Sequence, residues 1–170
     1  DMFWVVDGDA WLVNEWEFSA IPNLWERNCA FVWSSINPVN DLVYPNGGVK
    51  LLPKGPLLSM KKWTTLDLFT GAMLETKQIN EVSCENTYNI NPLSTWRAAF
   101  RETVKLYTTN QMLKLKSWLK KGSDRPYGTF SIDGSHAGYE YAKLYSQDKA
   151  ALLKINDYKW LEREFNKYYE

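Results

Sequence analysis

Two acidic residues at the end of an apolar run are the best-placed chemistry in this sequence. Met2-Phe3-Trp4-Val5-Val6 is unbroken by a polar residue, stops at Asp7-Gly8-Asp9, and is resumed by Ala10-Trp11-Leu12-Val13. A short continuous apolar run bounded by Gly and Asp predicts a fully buried strand rather than an amphipathic helix. Its polar end is expected where strands of an open α/β sheet meet ligand, at their carboxyl ends. Residues two apart in extended chain share a face, so the carboxylates of Asp7 and Asp9 can converge on one point. Gly8 between them leaves the backbone free to turn and lets a ligand come close. Such a pair suits a hard divalent cation carrying phosphate oxygens, Mg²⁺ or Mn²⁺. The competing reading is a plain strand-to-loop turn, which Asp and Gly also favour.

Other residues carry weaker signals. His136 is the only histidine and sits in Gly134-Ser135-His136-Ala137-Gly138. It reads as a surface or scaffold histidine at a helix start, where backbone N–H groups can face an anion. Asp41, Asp67, Asp124 and Asp133 are candidate general bases by composition, and Asp124 has Arg125 beside it for an ion pair. Arg97 and Arg101 stand one helical turn apart, able to hold a phosphate or to pair with acids such as Glu102. Cys29 and Cys84 lack metal-ligand spacing and read as reduced, buried thiols.

The elements that must position these groups divide the chain in two. In the N-terminal half, Ala30-Phe31-Val32-Trp33 reads as a buried strand. Leu42-Val43-Tyr44 and Val49-Lys50-Leu51-Leu52 read as two strands around Pro45-Asn46-Gly47-Gly48, a strong turn signal, and so as a hairpin or its loosened equivalent. Glu81-Val82-Ser83-Cys84 reads as a further strand, and Leu57 to Lys62 as a short helix. In the C-terminal half, Ser94 is a plausible cap before a stripe of Trp96, Phe100, Val104 and Tyr107. A second helix runs from about Thr109 to Lys120. A third starts at Ser135, after a polar loop from Gly122 to Gly128. A last one, capped by Asn156 or Asp157, carries Tyr158, Leu161, Phe165 and Tyr168. The expected fold is α/β: a small mixed sheet, then three or four helices, in a single domain over residues 1–170.

Composition narrows the functional classes. With 45% apolar and 24% charged residues, the chain has the make-up of an ordinary globular domain. Twenty basic and twenty acidic residues balance to zero, so there is no global attraction to nucleic acid. The lysine cluster at 114–121 is the one local exception and is explained by a solvated helix face. No apolar run is long enough to span a membrane as a helix. Nine Trp and ten Tyr imply a core of large rings, or exposed faces on which a sugar or base could stack.

A hydrophobic strand ending in Asp-x-Asp resembles the metal and nucleotide-sugar motif of glycosyltransferases with the GT-A fold. The longer pattern is similar to glycosyltransferase-like proteins of large tailed phages. It comprises Phe3 to Ala10, Asn37-Pro38-Val39-Asn40-Asp41-Leu42-Val43-Tyr44, Gly47-Gly48-Val49-Lys50-Leu51, Trp96-Arg97-Ala98-Ala99-Phe100-Arg101-Glu102 and Pro126-Tyr127-Gly128. The resemblance implies a GT-A-like domain transferring a sugar from a nucleotide sugar bound through Mn²⁺ or Mg²⁺. It implies Asp7, Asp9 and His136 as metal ligands, and Asp7, Gly47 and Gly48 at the donor. Asp67 becomes the preferred general base, because an acid is often found between the glycine turn and the next helix. The acceptor is a modified DNA base, a protein or a glycan, and the location is the cytoplasm of the phage's host or the virion. GT-A enzymes place a nucleotide-binding βαβ unit before Asp-x-Asp, so that unit is expected upstream of Asp1 or on a partner chain. The alternative is a non-catalytic binding or virion structural domain that keeps the fold.

Overall fold

The computed structural model describes residues 1–8, 10–13, 29–37, 39–60, 69, 72–86, 91–121, 124 and 126–169. They form a mixed α/β structure with a five-stranded mixed sheet and six helices. They gather into two compact units, Asp1–Asn37 with Val43–Thr87, and Pro38–Leu42 with Tyr88–Glu170.

The first unit holds the sheet. Its strands are β1 (Met2–Val6), β2 (Ala10–Leu12), β3 (Cys29–Ile36), β4 (Val43–Pro53) and β5 (Glu75–Asn86), and the helix α1 (Lys54–Ser59) follows β4. The sheet order is β1-β4-β3-β5-β2. Only β3 and β5 run parallel, while β1 with β4, β3 with β4, and β2 with β5 run antiparallel.

This order forces the sheet to curl. In a flat sheet, four inter-strand spacings would set β1 and β2 about 19 Å apart. Four Cα steps from Val6 to Ala10 reach about 15 Å at most. The Ala10 amide donates to the Asp7 carbonyl at 3.0 Å, which shortens that reach further. The two edges therefore approach each other at residues 7–10. Side chains from all five strands then fill the inside of the curl: Met2, Trp4, Ala10, Phe31, Trp33, Val49, Leu51, Ile79 and Cys84 belong to one apolar cluster. Trp4 stacks on Trp33 with centroids 5.0 Å apart. On the outer face, Ala30, Leu52, Ala72 and Leu74 pack with Val5, Leu57, Met60 and Phe69.

Two strand expectations need correcting. The Met2–Val6 run forms a strand, but an edge strand rather than a fully buried one, with Phe3 41% and Val6 46% exposed. The strand buried on both faces is β3, where Cys29 to Ser35 are all buried. The second correction concerns Pro45-Asn46-Gly47-Gly48, which does not reverse the chain. Both flanks of β4 pair with β3 in the same direction, and the extra residues are absorbed as a bulge. The step from Val32 to Ser34 on β3 matches the step from Lys50 to Pro45 on β4. Pro45 is tolerated because β1 pairs only with Val49–Pro53, so no neighbour on that side needs its missing N–H. A second irregularity, where Trp33 faces Ile79 but Ser34 faces Val82, is stitched by buried hydroxyls. Ser34 donates to the Ile79 carbonyl at 3.1 Å and Ser83 to the Ser34 carbonyl at 3.3 Å. Cys29 and Cys84 are buried thiols outside any disulfide, as expected.

The second unit is helical: α2 (Pro92–Thr108), α3 (Met112–Lys120), α4 (Gly128–Leu144), α5 (Lys149–Leu153), a 3-10 turn (Lys154–Asn156) and α6 (Tyr158–Tyr169). Asn91, not Ser94, caps α2: its side chain accepts from the Ser94 amide at 2.8 Å, and the Ser94 hydroxyl accepts from the Asn91 amide at 3.2 Å. That reciprocal arrangement satisfies two orphan donors at once. Asp157 caps α6, accepting from Lys159 and Trp160 amides at 3.0 and 3.1 Å.

The third helix starts at Gly128 rather than Ser135. Its buried residues are small, among them Ser131, Gly134, Ser135, Ala137, Gly138 and Ala142. They let the backbone of α4 lie directly against α2. A Cβ on Gly134 would stand 2.3 Å from the Trp96 carbonyl oxygen, and one on Gly138 2.4 Å from that of Phe100. Around this contact the large rings collect. Trp96 meets Phe100 and Phe165, and Phe100 meets Tyr141 and Trp160. Trp33, Trp96 and Trp118 are buried, whereas Trp11, Tyr158, Tyr168 and Tyr169 are exposed, so core packing accounts for only part of the aromatic excess among the described residues.

Candidate functional site

Asp7 follows the last residue of β1 and is tied down on both sides of its peptide plane. Its amide donates to the Gly48 carbonyl at 2.9 Å, and its carbonyl accepts from Ala10. Gly48 thus comes beside Asp7, because the β4 bulge ends where β1 ends: Val6 faces Val49. Gly8 is exposed, and a Cβ placed there would meet none of the described residues beyond its chain neighbours within 4 Å.

The side chain of Asp7 has a partner that sequence reasoning missed. Lys50 Nζ donates to Asp7 Oδ1 at 2.6 Å, with the lysine side chain 13% and the aspartate 41% exposed. Register explains the pairing. Lys50 faces Val5 across the β1–β4 ladder, and Asp7 is the next residue on that same face. On its other side Lys50 faces Val32, so its stem lies among apolar neighbours and its ammonium needs a carboxylate. A lone lysine inside Val49-Lys50-Leu51-Leu52 was the available signal, since lysine is rarely buried unless paired.

The other expected site residues fall as follows. Asp9 and Asp67 lie outside the described residues, and for Gly47 only its backbone place in β4 is described. His136 is exposed and stands in the middle of α4 in the helical unit, not at a helix start. Its amide is past the first turn, where N–H groups already have helical partners, so the expected anion-facing backbone is absent there. Asp133, one of the candidate bases, accepts a 2.7 Å hydrogen bond from the Tyr169 hydroxyl. Burial first, and then this bond to Asp133, hold the Tyr169 phenol well above its usual range.

A carboxylate oxygen such as those of Asp7 is the donor type a hard divalent cation takes. The Lys50 ammonium is a stand-in cation on one carboxylate oxygen, and Asp7 Oδ2 has no partner among the described residues. A cation arriving at Asp7 would have to share the carboxylate with Lys50, whose side chain is only 13% exposed. Among the described residues no three His, Cys, Asp or Glu side chains cluster, so a cation there would need oxygens from elsewhere. Substrate phosphates commonly supply them for magnesium.

Set against known families, curated proteins and solved structures, the chain matches none of them. Among the described residues no helix is long and apolar enough to cross a membrane.

Proposed function

We propose that the chain is a glycosyltransferase domain that transfers a sugar from a metal-bound nucleotide sugar, with Asp7 as the metal-binding carboxylate. The observation that carries this reading is the Asp7 side chain at a strand end, paired with Lys50 at 2.6 Å beside the exposed Gly8. Asp7 and Asp9 would hold Mn²⁺ or Mg²⁺, and the ion would neutralise charge developing on the diphosphate leaving group. Lys50, sharing Asp7 with the ion, stays within reach as a second positive group for that diphosphate. The exposed backbone at Gly8 gives the donor room to approach, whereas Gly48 is buried beside Asp7. The bond from the anomeric carbon to the diphosphate breaks with its electron pair leaving on oxygen, and the acceptor hydroxyl takes its place. Asp67 is the proposed base for the proton of that hydroxyl.

A second reading, a non-catalytic binding or virion domain, is favoured by the same ion pair taken as purely structural. One experiment separates them. Purified chain is incubated with UDP-, GDP- and CDP-sugars and Mn²⁺, and nucleoside diphosphate release is measured. Turnover that Asp7→Asn and Asp9→Ala abolish without lowering the melting temperature supports the transferase. If no donor is hydrolysed and none shifts the melting temperature with Mn²⁺, the binding module stands instead.

A further inference from the structure

We propose that Arg97, Arg101 and Tyr158 form a binding site for a phosphoryl group carried by a small molecule, a site that the transferase chemistry above does not use. Arg97 and Arg101 are one turn apart on α2 and share a face. Both guanidinium groups lie over the same ring: Arg97 Cζ is 4.2 Å and Arg101 Cζ 5.2 Å from the centroid of Tyr158, the first residue of α6. Arg101 Nη1 donates to the Tyr158 hydroxyl at 3.2 Å. That hydroxyl oxygen is therefore an acceptor already in use, and its own O–H is left to donate outward.

Among the described residues the charge of these two arginines has no carboxylate paired with it. Arg101 Nε is buried and has no acceptor there either. Aromatic faces attract cations, but weakly, and one ring does not neutralise two guanidinium groups. The cluster is an array of donors with a single occupied acceptor, and it opens to solvent, since Tyr158 is 51% exposed. What completes it is an anion with several acceptor oxygens and a charge near minus two. Carboxylate matches one arginine fork, whereas phosphate can engage two and still accept from a hydroxyl.

The test uses the whole chain in chloride buffer with EDTA, so that no divalent cation contributes. Inorganic phosphate, pyrophosphate and a nucleoside diphosphate are titrated by calorimetry. Saturable binding is expected, weakened about tenfold or more by Arg97→Lys or Arg101→Lys, because a charge-assisted hydrogen bond is lost while the charge stays. Tyr158→Phe should weaken it by a smaller factor, with the ring retained. Equal affinity for all three ligands identifies a single phosphoryl group as the recognised unit. A preference for the diphosphates that the Arg→Lys variants erase extends the site to a diphosphate. The proposal is overturned if none of the three binds saturably, or if the double variant Arg97→Lys/Arg101→Lys binds as the parent does. Should the arginine variants melt early, Tyr158→Phe decides, and unchanged affinity there also overturns it.

Discussion

Replacing Gly134 by alanine inserts one methyl group where α4 touches α2, and its effect can be worked out from the contact. The added Cβ would lie 2.3 Å from the Trp96 carbonyl oxygen and 2.9 Å from the carbonyl carbon and Cα. These are main-chain atoms in the first half of a seventeen-residue helix, so no rotamer change relieves them. Ordinary contact requires α2 to retreat by about 1 Å, and close-packed interiors transmit such a shift to their neighbours. The retreat would loosen Trp96 from Phe165, and Phe100 from Tyr141 and Trp160. Overpacking of this kind costs about 1–3 kcal/mol or more. Alanine returns up to about 1 kcal/mol through helix propensity. We expect a net loss of roughly 2 kcal/mol, a fall in melting temperature of roughly 4–8 °C, followed by circular dichroism. A Gly134→Ala protein as stable as the parent would refute the close approach of the two helices.

Two further predictions are independent of it. Lys50→Met frees the Asp7 carboxylate, so Mn²⁺ binding followed by electron paramagnetic resonance should tighten several-fold when no nucleotide is present; unchanged or weaker binding would show that Lys50 does not compete with the ion. Burial, with the nearby Tyr145, Glu164 and Asp148 adding to it, pushes the Tyr141 phenol up to about 12, while unfolded tyrosine ionises near 10. The raised value means that this contribution to stability is complete below pH 10 and is lost between pH 10 and 12 as the unfolded state sheds its proton. Melting curves from pH 8 to 11 should fall less steeply for Tyr141→Phe than for the parent, and equal slopes would contradict the assignment.

Local pattern made several features legible. The unbroken apolar stretch at Ala30–Trp33 announced a short buried strand, and β3, buried from Cys29 to Ser35, contains it. The stripe of Trp96, Phe100 and Val104 announced one helix, and the spacing of Leu161 and Phe165 another, because a 3.6-residue period needs no knowledge of the partner. The Asp7-Gly8 break marked where β1 ends. The glycines of Gly134-Ser135-His136-Ala137-Gly138 misled, since they resemble a loop. Only the facing backbone of α2 explains why a helix interior should lack side chains there.

What the sequence determined by itself is what depends on neighbours along the chain: which stretches extend, which coil, and that a carboxylate stands at the end of an apolar strand. Tertiary structure decided the rest, because pairing is a property of two segments at once. Pro45-Asn46-Gly47-Gly48 became a bulge because β3 holds both of its flanks in one direction. Met2–Val6 became an edge because β4 covers one side of it only. Asp7 met Lys50 because register set them as neighbours on one face, forty-three residues apart in sequence. Arg97 and Arg101 found their common ring on a helix that starts fifty-seven residues beyond Arg101, a distance at which spacing rules carry no information.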